Sequence, residues 1–93
     1  MVVNAPRAKH ARVPKKSPKC NGLPALVALG SAVRALRIER GLSQEALAHD
    51  AGIDRSYLGG IERGEHNVAI VNLLKLTGEL DTTLAELMQL AKL

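Results

Sequence analysis

Aromatic residues make up 1% of this 93-residue chain: Tyr57 is the single ring, and there is no Phe or Trp. Any core must be built from Leu, Val, Ile and Ala, in a chain sized for one small domain. The one cysteine, Cys20, excludes an intramolecular disulfide and a multi-cysteine zinc site. No apolar run approaches the roughly 20 residues that span a bilayer, so no membrane partner is expected. Strand-like alternation and internal repeats are missing too. What is present is 46% hydrophobic and 24% charged residues, a balance that suits a globular fold. These observations point to an intracellular, helix-rich domain.

Acid is missing from the start of the chain. Residues 1–28 carry Arg7, Lys9, Arg12, Lys15, Lys16 and Lys19 with no Asp or Glu, whereas residues 29–93 hold seven basic against nine acidic groups. The net charge of +4 therefore belongs to the N-terminal stretch and not to the remainder. Pro6, Pro14, Pro18 and Gly22 interrupt residues 1–22, which show no apolar periodicity and read as a disordered basic arm ahead of a domain over 23–93. Such an arm favours polyanions such as nucleic acid. A solubilising tail fits the same charge. The apolar run Leu23–Leu29 imitates a secretory signal, but Pro24 interrupts it and cleavage nearby would remove the start of the first helix. That run is expected to pack on the domain or to extend the helix.

Five helical segments follow. Ser31–Arg40 places Val33, Leu36, Arg37 and Arg40 on one face and stops at Gly41. Gln44–Ala51 has Ser43 as N-cap, a Leu42–Leu47 staple and Gly52 as its stop. Arg55–Arg63 has Asp54 as N-cap, an Ile53–Leu58 staple and Gly64 as its stop. A fourth helix near Ala69–Leu80 aligns Ile70, Leu73, Leu74, Thr77 and Leu80, with Asn67 as the expected cap. The fifth opens on the capping box Thr83-Leu84-Ala85-Glu86 and aligns Leu84, Leu87, Met88 and Ala91.

The second and third helices are joined by only Gly52-Ile53-Asp54, too short a joint for antiparallel packing, so they must cross steeply. Ala48 supplies the small residue such a crossing needs, Gly52 a turn residue tolerant of positive φ. Leu47, Ala51, Ile53, Leu58 and Ile61 fill the wedge between them. This is the spacing of a helix-turn-helix. Leu42-Ser43-Gln44-Glu45-Ala46-Leu47-Ala48 with Ile61-Glu62-Arg63-Gly64 at this separation resembles the Cro/repressor-type helix-turn-helix family, also called the XRE family, over about residues 29–90. The resemblance implies a compact, all-α, five-helix domain that binds duplex DNA, usually as a homodimer.

The third helix can be read without the family. Its N-terminal residues suit the major groove, where Arg55 can pair bidentately with guanine and Ser56 can donate or accept with less discrimination. Ser56, Gly60 and Arg63 fall opposite Leu58 and Ile61. Tyr57 is placed to meet sugar and phosphate, or to serve as the edge of the core. Gly59 and Gly60 each lower helix propensity by about 1 kcal/mol relative to Ala and are expected to let the helix backbone, at Gly60 above all, approach DNA. Ser43 and Gln44 open the second helix, whose unpaired N–H groups suit a phosphate; the resemblance implies that Gln44 clamps DNA backbone. It also implies phosphate contacts near Arg63, His66 and Asn67, where Glu65 is an opposing charge. Glu62 lies about 40° from Leu58 on the inward side at the helical repeat of about 100° per residue. A partly buried carboxylate needs a partner, and the resemblance pairs it with Arg37.

Leu90, Leu93, Val71 and Leu76 fall off the core stripes of the last two helices; they can cover an edge of the monomer, but are expected at a twofold interface, which would set two recognition helices about 34 Å apart. No enzyme, metal or cofactor is expected: His10, His49 and His66 lie far apart, Cys20 has no local His, and no phosphate-binding glycine loop follows a strand. The expected function is that of a sequence-specific transcriptional regulator without an effector domain, homodimeric on promoter DNA, cytoplasmic and nucleoid-associated. An antitoxin-like module, whose additional protein partner covers the apolar C-terminal helices, is the alternative.

Overall fold

The computed structural model describes residues 21–93, which form five α-helices: α1 (Pro24–Glu39), α2 (Gln44–Ala51), α3 (Arg55–Glu62), α4 (Ile70–Glu79) and α5 (Leu84–Leu90). The basic arm expected over residues 1–22 lies almost wholly outside the described residues, as do Cys20 and His10. All-α architecture with five helices agrees with the spacing arguments above.

The first helix is longer than Ser31–Arg40. Pro24 stands in its first turn, where a missing N–H leaves no hydrogen bond unmade, so the residue that interrupts the apolar run begins the helix. Leu26 and Ala28 pack against the core, and Leu29 belongs to it. Gly30 explains how α1 comes so close to α3: a Cβ there would stand 2.7 Å from the Glu62 carbonyl oxygen. At Gly64, φ is +76° and a Cβ would meet the Val27 backbone at 2.8 Å, so the turn after α3 is clasped against the extension of α1. The Gly22 N–H donates to the Gly64 carbonyl at 2.9 Å and closes that clasp.

Helices α2 and α3 meet their expected caps. The Ser43 hydroxyl accepts from the Ala46 N–H at 2.9 Å, and an Asp54 carboxylate oxygen accepts from the Ser56 and Tyr57 N–H groups at 3.0 and 3.3 Å. Gly52 takes the left-handed conformation that ends α2. Arg63 is the C-cap of α3 and not its last helical residue. Leu47, Ala48, Ala51, Leu58 and Ile61 are buried, with Ile53 packed against them.

The fourth helix turns a different face inward. Leu73, Leu76 and Thr77 are buried, with Leu80 beyond the end, while Ile70 and Leu74 are exposed. Leu76 is 0% exposed and cannot contribute to a contact between copies as expected from the sequence; Val71 is 61% exposed. Five of the ten α4 residues are apolar, so two overlapping stripes satisfy the helical repeat and packing on α2 and α5 selects one. Asn67 is not its cap: Ala69 occupies that position and offers no side-chain acceptor. In α5 the capping box is complete, with Thr83 Oγ1 accepting from the Glu86 N–H at 3.0 Å and Glu86 Oε1 accepting from the Thr83 N–H at 3.1 Å. Leu87 and Ala91 are buried, and Leu84 and Met88 pack against them.

Candidate nucleic-acid interface

A short joint and two caps place the start of α3 on the surface. Asp54 satisfies the first N–H groups, and Arg55 and Ser56 beside it are exposed. Arg55 and Ser56, the expected base readers, thus stand together at the exposed start of α3. Tyr57 is half-buried; its hydroxyl accepts from Asn72 Nδ2 at 3.1 Å, which anchors the edge of α3 to α4.

Under α3 lies a buried ion pair. Arg37 Nε and Nη2 donate to the two Glu62 carboxylate oxygens at 2.7 and 3.0 Å, and Arg37 Nη1 donates to the Leu42 carbonyl at 2.8 Å. The hydrogen bond to Glu62 raises the guanidinium pKa further above its ordinary value, so Arg37 keeps its charge. Glu62 Oε1 also accepts from Gln44 Nε2 at 3.0 Å. The carboxylate that joins α3 to α1 therefore also holds the side chain at the start of α2. Helical repeat turned Glu62 inward and the family resemblance paired it with Arg37, but no sequence signal pointed to the third member.

Arg63 is exposed and paired: its Nε and Nη2 donate to the Glu65 oxygens at 2.9 and 3.2 Å, which raises the Arg63 pKa. Gly59 lies beneath. A Cβ on Gly59 would stand 3.0 Å from Arg63 Nη1 and 3.6 Å from Gln44 Oε1, so the bare helix backbone seats both groups. Gly60 differs from expectation. It is buried under the His66 ring and Glu65, which close it off from an approaching duplex. His66 is likewise only 7% exposed and lies edge-on to Tyr57, with ring centroids 4.9 Å apart. Its ring packs against the fold and is not presented as a phosphate donor. Ser43 and Asn67 are exposed.

Gly59 and Gly60, adjacent in the sequence, thus face different partners. Glu65, an opposing charge in the sequence, is the arginine's own partner, and its place two residues after Arg63 is the signal for that pairing. Among the described residues no group of acidic, His or Cys side chains could hold a metal ion, and no helix is long and apolar enough to cross a membrane.

A model of the helix-turn-helix family matches residues 33–87, from mid-α1 to α5. The chain belongs to that family. It is of the Cro/C1 (XRE) type, whose members are DNA-binding transcription regulators and not enzymes. Control protein C.MunI of a Mycoplasma species is 42% identical over 62 residues, covering 66% of this chain and 84% of that protein. The restriction-modification controller protein C.AhdI from Aeromonas hydrophila superposes with a TM-score of 0.69 at 52% identity, over 70% of this chain and 98% of that one. The master regulator for biofilm formation SinR, solved in complex with DNA, superposes at 0.62 with 36% identity over 64% of this chain and 97% of that one. Within the family this chain is a controller-like transcriptional regulator.

Proposed function

We propose that this protein is a sequence-specific regulator that binds promoter DNA as a homodimer, in the manner of a restriction-modification controller. The observation that carries the reading is the grouping of Arg55 and Ser56, exposed at the start of α3, with Gln44 and Arg63 seated on Gly59 of the same helix. Arg55 reads a guanine edge and Ser56 adds a weaker contact. Ser43, Gln44, Arg63 and Asn67 hold phosphates on either side, with Tyr57 packed at the edge of the same surface. The likeness to two proteins named as controllers and to one solved on DNA supports the assignment.

A second copy covers the exposed apolar side chains of α4 and α5. Ile70, Val71 and Leu74 project from one side of α4, and Leu90 and Leu93 from the end of the chain. Four large apolar groups on two adjoining helices, with Leu93 beyond the end of α5, form the kind of surface that self-association buries. The basic residues before Gly22 add sequence-independent phosphate affinity, in a cytoplasmic, nucleoid-associated protein.

Selection from a random duplex pool at two salt concentrations tests this reading. Enrichment of an inverted repeat, with half-sites about 10 bp apart, is the expected result. Binding that disappears at high salt and enriches no sequence overturns it.

A further inference from the structure

Resting on the duplex-binding reading above, we propose that Glu65 determines specificity through Arg63. It holds one edge of the guanidinium and offsets its charge, so Arg63 acts as an aimed donor and not as a general attractor of phosphate.

The geometry is specific. A guanidinium carries five N–H donors in a rigid plane. Glu65 takes the edge formed by Nε and Nη2, at 2.9 and 3.2 Å, and Nη1 lies outside that pairing. Nη1 is the atom that lies 3.0 Å from the place a Gly59 Cβ would occupy, with Gln44 Oε1 3.6 Å from the same point. Glu65 is the inner member of the pair and Arg63 the outer: their side chains are 14% and 60% exposed. The carboxylate therefore restrains the arginine from behind, while Arg63 Nη1 and the Gln44 amide both lie over the bare backbone of Gly59. Gln44 is restrained in the same way by Glu62. Two donors that would otherwise sweep through many rotamers are thus fixed side by side by two carboxylates.

The electrostatic consequence differs from that of a lone arginine. Sequence-independent affinity follows the cationic charge that displaces counterions from the duplex. An arginine paired at 2.9 Å presents almost no net charge at distances well beyond that separation, so it adds little to the long-range field that gathers the duplex. It still donates hydrogen bonds at contact, where only a correctly seated complex can use them. Specificity is the ratio of the two affinities, and the pair suppresses the non-specific one without removing a donor.

Two variants of the full chain test this on the selected duplex and on a scrambled one, over a range of salt. Glu65→Gln removes the offsetting charge. It is expected to bind the scrambled duplex several-fold more tightly at low salt, to steepen the plot of log K against log salt by about one unit, and to lower the selected-to-scrambled ratio. The double variant Arg63→Ala/Glu65→Gln removes the pair with no change in net charge. It is expected to leave scrambled-duplex binding and its salt slope as in the parent while weakening binding to the selected duplex. An unchanged slope in Glu65→Gln, or loss of about one unit of slope in the double variant, overturns the proposal. Thermal unfolding of each variant is followed alongside; the double variant decides the matter if Glu65→Gln does not fold. A parent protein that prefers no duplex sequence instead overturns the reading on which the proposal rests.

Discussion

Arg37 on α1 and Glu62 at the end of α3, 25 residues apart in sequence, meet in a two-pronged ion pair at 2.7 and 3.0 Å with the Glu62 side chain only 2% exposed. The same arginine ties down the Leu42 carbonyl before α2, and the same carboxylate holds Gln44 at the start of α2. One buried pair thereby fixes the relation of three helices and of one side chain on the proposed DNA surface.

Removing the arginine should expose the cost of that arrangement. Arg37→Ala leaves a buried carboxylate with only the Gln44 amide beside it and is expected to lower stability by about 3–5 kcal/mol. Urea unfolding measures this. A loss below 1 kcal/mol would mean that Glu62 finds solvent or another partner easily.

The adjacent glycines should separate stability from binding. Gly59→Ala gains helix propensity, up to about 1 kcal/mol, because the atoms it meets belong to the movable ends of Arg63 and Gln44. It should keep or raise stability while weakening duplex binding. Gly60→Ala drives a methyl into the buried His66 ring and should lose about 1–3 kcal/mol. Melting curves and titrations with the selected duplex check both halves. Equal behaviour of the two variants would contradict the distinct seats.

Arg55→Ala should relax base preference at one position of each half-site and weaken binding to the selected duplex by about 1–3 kcal/mol. Repeating the pool selection with the variant is the direct check. An unaltered preference removes Arg55 as a base reader.

On α4 and α5 the exposed and buried leucines should part company. Leu74→Glu and Leu90→Glu are expected to give folded monomers at concentrations where the parent is dimeric, as read by sedimentation equilibrium. Leu76→Ala should instead leave a cavity and reduce stability by about 2–5 kcal/mol. Dimers that survive both glutamate substitutions would place the contact on another face.

The α5 cap carries a pH dependence. Hydrogen bonds from the Thr82 hydroxyl, first, and the Thr83 backbone N–H lower the Glu86 pKa in the folded state. Unfolding brings the carboxyl back to its ordinary, higher value, so the folded chain binds the proton more weakly. This contribution is present above the ordinary carboxylate range and is lost as pH falls through the depressed folded value. The melting-temperature difference between the parent and Glu86→Gln should therefore shrink as pH falls below about 4. A constant difference would show that the carboxylate charge is not what the cap uses.

Unlike the start of α1 and the cap of α4, the five helices, the caps of α2, α3 and α5 and the joint between α2 and α3 were legible in the sequence. Those depend on local physics: Ser43, Asp54 and Thr83 satisfy N–H groups within the next few residues, and Gly52 supplies a left-handed turn. Helical repeat was enough to point Glu62 inward beside Leu58. It was not enough where one helix carries two apolar stripes, and the choice of Leu73, Leu76 and Thr77 over Ile70 and Leu74 was made by what α4 packs against. Tertiary packing alone brings α1 against α3 at Gly30, lays His66 over Gly60, and seats both Arg63 and Gln44 over Gly59. Each of these is a close approach between groups from different elements or turns. Such contacts are set by distances of a few ångströms, which periodicity and composition do not encode.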